Sequence, residues 1–251
     1  MTSPSVQIFP LPGLPEISPG DDLARLIAAV LRVGDLQAEA GDVFVIAQKI
    51  VSKAEGRVVR LDTVTPSERA VAWAKAWDKD ARAVELVLRE SRRIVRMERG
   101  IIIAETRHGF VCANAGVDLS NATSGTAILL PENPDESARM LQAQLAAVLG
   151  VDVAIIISDT FGRPWREGLV NVALGVAGIA ALLDYRGETD AGGKLLQATI
   201  IAIADELASA AELVMGKADR VPVAIIRGVR AASREGSGRD LIRPADRDLF
   251  R

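Results

Sequence analysis

The sequence predicts a mixed α/β (α+β) protein, folded as one domain or as two closely packed subdomains that share a core. Its length of 251 residues suits either arrangement. Residues 43–47 and 153–158 are continuous apolar runs, which are typical of strands buried on both faces of a sheet. Thr65 and Asn133 each precede a proline and stand three residues before a glutamate, a pattern that starts helices.

The first part of the chain predicts strand, helix and strand. Residues 6–9 form a short apolar strand that ends at a proline-rich loop. Residues 21–33 carry apolar side chains at helical spacing, with two aspartates at the positive end of the helix dipole. The strand at residues 43–47 continues into a segment that carries Lys49 and Lys53, which we interpret as an extension of that strand.

The middle of the chain predicts mainly helices. One helix begins after Thr65, a second lies near residues 81–90, and a third covers residues 134–149 with a glycine as its stop. Between the second and third helices, residues 101–105 and 110–113 predict two strands joined by a tight turn.

The last part predicts strands, one helix and a polar tail. Residues 153–158 are a buried strand, and the glycines within residues 170–183 favour a strand there as well. Residues 199–215 predict a helix, and residues 221–227 predict the final strand. From residue 231 the chain is polar and arginine-rich, which predicts a mobile or partner-packed tail.

Composition excludes several classes of function. The net charge is −3 and aromatic residues make up 4% of the chain, so no basic nucleic-acid surface or base-stacking platform is expected. The single cysteine, Cys112, and single histidine, His108, exclude disulfide frameworks, cysteine-rich zinc sites and poly-histidine sites. Apolar residues 172–183 are too few to span a bilayer, and no signal-like segment opens the sequence. We expect a cytoplasmic protein whose metal ligands, if it has any, are mainly oxygens.

Two aspartates follow predicted strands in loops that offer oxygen ligands. Asp118 lies within residues 114–121 and Asp159 within residues 158–163, each near amide or hydroxyl side chains. Loops at strand ends commonly collect ligand groups in α/β proteins. Carboxylate and hydroxyl oxygens suit Mg²⁺ or Mn²⁺. The alternative is that both aspartates only cap local turns through side-chain-to-backbone hydrogen bonds.

Cationic side chains near these loops have two interpretations each. Lys49 and Lys53, just after a buried strand, either neutralise phosphate or are simply solvated. Arg163 and Arg166 flank Trp165, a candidate wall of a site. Their planar guanidinium groups suit phosphate or carboxylate, and equally a structural ion pair.

Three further features have a structural alternative. The dipeptide Gly216-Lys217, after a predicted helix, is either a backbone phosphate cradle or a helix C-cap. A dyad of His108 and Cys112 is disfavoured, because a buried strand cysteine usually only packs. Trp73 and Trp77 are four residues apart on a predicted helix, which favours packing in the core or at an interface.

Five segments occur in a recognisable order, namely residues 12–15, 50–56, 114–121, 158–163 and Met215-Gly216. With this set the sequence resembles the coenzyme F420:L-glutamate ligase family, also called F420-0:γ-glutamyl ligase, over about residues 6–230. The resemblance implies a mixed-sheet ligase fold, with a catalytic domain at residues 1–230 and a polar tail at residues 231–251.

The resemblance also implies an activity and its ligands. The implied enzyme is a homodimer that uses GTP and Mg²⁺ or Mn²⁺, with K⁺ as a further candidate, to join L-glutamate to a deazaflavin coenzyme precursor. Carried over position by position, the implied metal ligands are Asp118, Asp159 and Thr160. Our own candidates for the catalytic cations are Lys53 and Arg163. The implied GTP contacts are Leu14, Pro15, Glu16, Ile17, Gln48, Lys49, Lys53, Asn121, Met215, Gly216, Lys217 and Ala218.

The residues agree with this chemistry but leave two alternatives. Making an amide from a carboxylate needs prior activation, here by phosphoryl transfer from GTP to give an acyl phosphate that the amine attacks. Such transfer depends on positioning and charge neutralisation rather than on a protein nucleophile. The alternatives are a metal-dependent phosphohydrolase, in which the same aspartates activate water, and a non-enzymatic dimer that only binds GTP.

Overall fold

The structure is a computed structural model that describes residues 5–119, 125–229 and 235–249. Its strands are β1 (Gln7–Pro10), β2 (Val43–Ala47), β3 (Val58–Arg60), β4 (Ser91–Glu98), β5 (Ile101–Thr106), β6 (Val111–Ala113), β7 (Thr126–Ile128), β8 (Ala154–Arg163), β9 (Arg166–Ala177), β10 (Leu183–Asp184), β11 (Ile200–Ile201) and β12 (Val223–Arg227). Its α-helices are α1 (Leu23–Val33), α2 (Gln48–Ala54), α3 (Glu68–Trp77), α4 (Ala81–Glu90), α5 (Pro134–Leu149) and α6 (Ile203–Met215). Short 3₁₀ helices cover Leu61–Thr63, Asn114–Gly116, Gly238–Leu241 and Ala245–Arg247. Within the described ranges, no helix has the length and apolarity needed to cross a membrane.

A five-stranded mixed sheet in the order β1-β12-β2-β8-β9 forms the centre of the larger subdomain. Strands β2 and β8 are parallel, and the other neighbouring pairs are antiparallel. Phe44 and Ile46 pack with α1 and α5 on one face, whereas Val43 and Val45 pack with α6 on the other. Helices therefore cover both faces of the sheet, which is why β2 is apolar at every position.

A smaller subdomain is built on the antiparallel sheet β4-β5-β6 with α3 and α4. Its core contains Ala70 of α3, Leu86 of α4 and Ile102 of β5. Phe110, before β6, packs with Leu174 of β9, so the two subdomains are in direct contact. The predicted mixed α/β fold with two closely packed subdomains is confirmed.

Helix α5 shows how far local signals decide a boundary. The Asn133 side chain accepts a hydrogen bond from the Glu136 N–H at 3.4 Å, and Pro134 is the first helical residue. Gly150 ends the helix with φ of 74°, a left-handed conformation that glycine adopts at little cost. The helix predicted from the cap pattern is therefore confirmed at both ends.

Two boundaries near the start of the chain differ from the prediction. The segment after β2 is helix α2 rather than a strand extension, so Lys49 and Lys53 lie on a helix. Helix α3 is capped by Ser67 instead of Thr65. The Ser67 N–H and hydroxyl both donate to Glu85, at 2.9 and 2.6 Å, and these bonds lower the pKa of Glu85 to about 2. That contact comes from α4 and fixes where α3 begins.

Strand β4 and the edges of two other elements also differ from expectation. β4 was not predicted, because its charged side chains do not alternate with apolar ones. In the structure, two register shifts interrupt its pairing with β5. The strand predicted at residues 170–183 is β9, which begins at Arg166 and ends at Ala177. The helix predicted from residue 199 begins only at Ile203, because Ile200–Ile201 pairs with β10.

The C-terminal segment packs against the main body instead of forming a mobile tail. Asp135, in the first turn of α5, is buried and accepts hydrogen bonds from Ser237 Oγ at 2.5 Å and Gly238 N at 2.7 Å. Its Oδ1 also accepts from Val176 N of β9 at 3.0 Å. One carboxylate therefore joins α5, the sheet and the C-terminal segment. The division into residues 1–230 and 231–251 stays a prediction.

Replacing Asp135 with asparagine should destabilise the protein by about 2–4 kcal/mol, because one amide oxygen cannot satisfy three donors. The matched control is Glu136→Gln, since the Glu136 side chain lies at the surface in an exposed pair with Arg139. We expect that control to lie within about 0.5 kcal/mol of the parent. Urea unfolding measures both changes, and equal midpoints for the two variants would contradict the role given to Asp135.

Candidate active site

The candidate site lies at the edge of the central sheet where β2 and β8 both end. These strands are in parallel register, with Ala47 opposite Ser158, so the residues that follow each strand meet at one edge. A cleft of about 640 Å³ opens there. Its walls come from the loop before α1, from α2, from β8, and from α6 with the loop that follows it.

Most of the predicted site residues line this cleft. They come from four separate parts of the sequence, namely Leu14, Pro15, Glu16, Ile17, Gln48, Lys49, Lys53, Asp159, Thr160, Met215, Gly216, Lys217 and Ala218. Asp118 joins the group through Lys49, whose Nζ lies 2.5 Å from Asp118 Oδ2. Asn121 lies outside the described residues. The fold therefore gathers segments that are as much as 200 residues apart in the chain, since Leu14 and Met215 face the same cleft.

Asp159 is the most perturbed acid of the cleft. Burial raises its pKa to about 6, and the nearby charge of Asp118 acts in the same direction. A hydrogen bond from Thr160 N, at 2.8 Å, and the charges of Lys217 and Lys49 oppose that rise. A buried carboxylate whose pKa is raised partly by a second carboxylate marks a place where a cation is favoured.

A second row of polar groups runs from the cleft to α6. Thr160 Oγ1 donates to Asn171 Oδ1 at 2.6 Å, and Asn171 Nδ2 donates to Glu212 Oε2 at 2.8 Å. Lys217 Nζ donates to the same Thr160 hydroxyl. Sequence reasoning missed Asn171 and Glu212, although a lone asparagine within an apolar strand was a usable signal. Their contact depends on the β8–β9 register, in which Thr160 is opposite Asn171.

Two side chains on α2 are already engaged. Lys53 Nζ pairs with Glu16 Oε1, so two residues of the predicted nucleotide set contact each other directly. Gln48 is buried and accepts a hydrogen bond from Ser52 Oγ at 2.9 Å. A bound anion would have to exchange with Glu16 for the Lys53 ammonium.

Ser158 is a further polar group of the cleft that sequence reasoning did not select. It lines the cleft and is 2% exposed, yet its hydroxyl has no hydrogen-bond partner among the described residues. A buried hydroxyl without a partner is costly. The Ser158 hydroxyl is therefore suited to a ligand or water oxygen within the cleft.

The donor set fits a hard cation that is only partly held by protein. Among the described residues, no group of three or more histidine, cysteine, aspartate or glutamate side chains is arranged to hold a metal ion. The cleft offers Asp159, with Asp118 beside it, and the hydroxyl of Thr160. Mg²⁺ typically uses one or two carboxylates and completes its shell with phosphate and water oxygens.

Arg163 is not brought to the cleft. Its Nη2 donates to the Glu167 carbonyl at 2.6 Å, which closes the turn of the β8–β9 hairpin. Trp165, in the same turn, is 78% exposed and does not form a wall of the cleft. The hairpin continues beyond Asp159 to the turn, so proximity in sequence does not bring Arg163 into the site.

The structure also excludes a dyad of His108 and Cys112. His108 Nε2 lies 3.0 and 3.1 Å from the carbonyl oxygens of Pro131 and Glu132. Burial, with the charge of Asp159, raises the pKa of Cys112 to about 12. A thiol that stays protonated and buried is not a nucleophile.

Comparison with known proteins gives one consistent result. The profile of the family described as F420-0:Gamma-glutamyl ligase matches residues 13–228. A coenzyme F420:L-glutamate ligase of Methanopyrus kandleri is 49% identical, covering 99% of this chain and 98% of the relative. The enzyme of the same name from Methanothermobacter thermautotrophicus is 46% identical over 98% and 99% of the two chains. That of Methanocaldococcus jannaschii is 50% identical over 85% and 86%.

The raised pKa of Asp159 predicts a pH-dependent difference in stability. Folding raises this pKa from 3.8 to about 6, so the folded state loses stability as the pH rises through 6 and the buried acid ionises. The Asp159→Asn variant cannot ionise there. In protein freed of metal with EDTA, the free energy of unfolding of this variant should exceed that of the parent by about 1–3 kcal/mol above pH 6.

The difference in stability between Asp159→Asn and the parent should vanish below about pH 4. There the Asp159 carboxyl of the parent is protonated in both the folded and the unfolded state. Urea unfolding between pH 4 and pH 8 measures this trend. Asp184→Asn is the opposite control, because hydrogen bonds from Arg186 lower the pKa of Asp184 to about 2. That control should lose stability relative to the parent as the pH rises. A pH-independent difference for Asp159→Asn would show that Asp159 titrates normally.

Proposed function

The chain belongs to the F420-0:gamma-glutamyl ligase family, and from that membership we propose that it is a GTP-dependent ligase. It joins L-glutamate to the deazaflavin coenzyme F420-0 through an amide bond and acts in the cytoplasm. The observation that carries the proposal is the meeting of Lys49 and Lys53 with Asp118 and Asp159 at one sheet edge. Both signs of charge needed to handle a metal-bound phosphate are present there.

The reaction takes two displacements. A carboxylate oxygen of F420-0 attacks the γ-phosphorus of GTP, the bond from that phosphorus to the bridging oxygen breaks, and GDP leaves with the electron pair. The amine of L-glutamate then attacks the carbonyl carbon of the acyl phosphate. Inorganic phosphate leaves, the nitrogen loses a proton, and the amide remains. Neither step needs a protein nucleophile, which agrees with a cleft that contains no activated cysteine or serine–histidine pair among its described residues.

The side chains supply positioning and charge. Lys53 would leave Glu16 and pair with phosphate oxygens, and Lys49 would remain close enough to Asp118 to neutralise it. Asp118 and Asp159 would hold a divalent cation, and the Thr160 hydroxyl, which already contacts the Lys217 ammonium, would lie beside that cation. When bound, that cation supplies positive charge to the phosphate oxygens. The Ser158 hydroxyl would accept or donate one hydrogen bond to a bound oxygen.

We also propose that the protein is a homodimer. Residues 170–183 are an apolar segment, but most of its apolar side chains are buried within the chain itself. An exposed apolar surface is found at the β8–β9 hairpin, where Trp165 is 78% and Leu169 is 65% exposed. Sedimentation should give a dimer, and the double change Trp165→Ser with Leu169→Ser should weaken it. A parent protein that is monomeric at micromolar concentration and active would contradict this proposal.

The function is tested by mass spectrometry of the deazaflavin product together with GDP release. We expect F420-0 to gain one glutamate, and GDP to appear only when GTP, F420-0 and L-glutamate are all present. A phosphohydrolase would release GDP without either acceptor, and a GTP-binding protein without activity would release none. Either of those results would reject the ligase proposal.

Lys53→Ala should lower kcat/KM about 30-fold to several hundred-fold, since one well-placed charged contact contributes about 2–4 kcal/mol. Part of that loss should be in kcat, because phosphate charge shifts in the transition state. Lys75→Ala, on the exposed face of α3, is the matched control and should keep full activity. Turnover of Lys53→Ala within about twofold of the parent would make Lys53 a structural partner of Glu16 only.

A further inference from the structure

One oxygen cluster of the cleft contains an ammonium group. The cluster consists of the Thr160 hydroxyl, the Asn171 amide oxygen and the Glu212 carboxylate, linked by hydrogen bonds of 2.6 and 2.8 Å. Lys217 Nζ donates to Thr160 Oγ1. The Thr160 hydroxyl thus gives its only proton to Asn171 and accepts from Lys217, so it is engaged in both directions.

The loop that carries Lys217 turns back toward the cleft at Gly216. Gly216 ends α6 with φ of 60°, and a Cβ there would lie 2.2 Å from Asp219 Oδ2. The left-handed φ favours glycine at this turn, over which Asp219 folds back. Because Lys217 follows directly, the turn sends its side chain back across the cleft to β8.

We propose that the Lys217 ammonium is a built-in cation of this site, which supplies the positive charge on the Thr160–Asn171–Glu212 side. The nucleotide-bound chain then takes a single divalent cation, on the Asp118–Asp159 side. This inference rests on the proposed nucleotide dependence and adds to it the number of metal ions and the residue that sets that number.

The chemistry of the cluster supports this assignment. Hydroxyl, amide and carboxylate oxygens are the ligands of hard cations, and an ammonium group is a compact point charge with three donors. A tethered ammonium is present at every ligand concentration. It also repels a second divalent ion that would use the same oxygens.

A different role for Lys217 would be an ordinary contact to phosphate. In that role, removing its charge weakens nucleotide binding and leaves the number of metal ions unchanged. In the role proposed here, removing the charge opens a cation position, so the number of metal ions rises. Counting bound metal therefore separates the two roles without any measurement of turnover.

The test is a count of bound Mn²⁺ by electron paramagnetic resonance in the full chain saturated with β,γ-imido-GTP. We expect one Mn²⁺ per chain in the parent and two in Lys217→Glu, where a carboxylate joins the Thr160–Asn171–Glu212 cluster. Lys194→Glu makes the same charge change at an exposed loop position and should keep one. Thermal unfolding checks that each variant is folded.

Lys217→Gln is the second variant, because it removes the charge without adding a carboxylate. The number of Mn²⁺ ions bound per chain should also rise above one in this variant. Two Mn²⁺ in the parent, or one in both Lys217 variants, would overturn the inference and leave the ligase proposal intact. No Mn²⁺ in the parent would overturn both the inference and the proposed nucleotide dependence. The product assay on the parent then decides the ligase activity separately.

Discussion

The parallel pairing of β2 with β8 is the constraint on which the rest of the structure depends. Both strands are buried on both faces, so a shift of one residue would exchange every side chain between the α1–α5 face and the α6 face. The register is therefore fixed, and Ala47 lies opposite Ser158. Lys49 and Asp159 follow these two positions and meet at the same edge. The site is thus a consequence of packing in the core below it.

Two pairs of opposite charges in the cleft form before any ligand arrives. Lys49 pairs with Asp118, and Lys53 pairs with Glu16. A lone anion entering the cleft would leave a carboxylate unpaired, and a lone cation would leave an ammonium unpaired. A ligand that carries both signs, such as a metal-bound nucleotide, can exchange with both partners of a pair at once. In the proposed function, this pairing would favour such a ligand over free phosphate or free metal.

Features set by neighbours in sequence could be predicted, and features set by distant contacts could not. The apolar run of β2 and the Asn133 cap of α5 are local, and both are confirmed. The start of α3 depends on a contact with Glu85. The packing of the C-terminal segment against the main body depends on Asp135, about 100 residues away. In the site, the strand ends pointed to Lys49 and Asp159, whereas Asn171 and Glu212 required the β8–β9 register.

Cys112 has a practical consequence for spectroscopy. It is the only cysteine in the sequence, it is buried in β6, and its pKa of about 12 keeps the thiol protonated near neutral pH. Maleimides and methanethiosulfonates react with thiolates, so the natural chain provides a silent background for them. A cysteine introduced at an exposed position such as Val33 would be the single reactive thiol. A spin label or fluorophore attached there would then report on that one position while the buried native thiol stays unmodified.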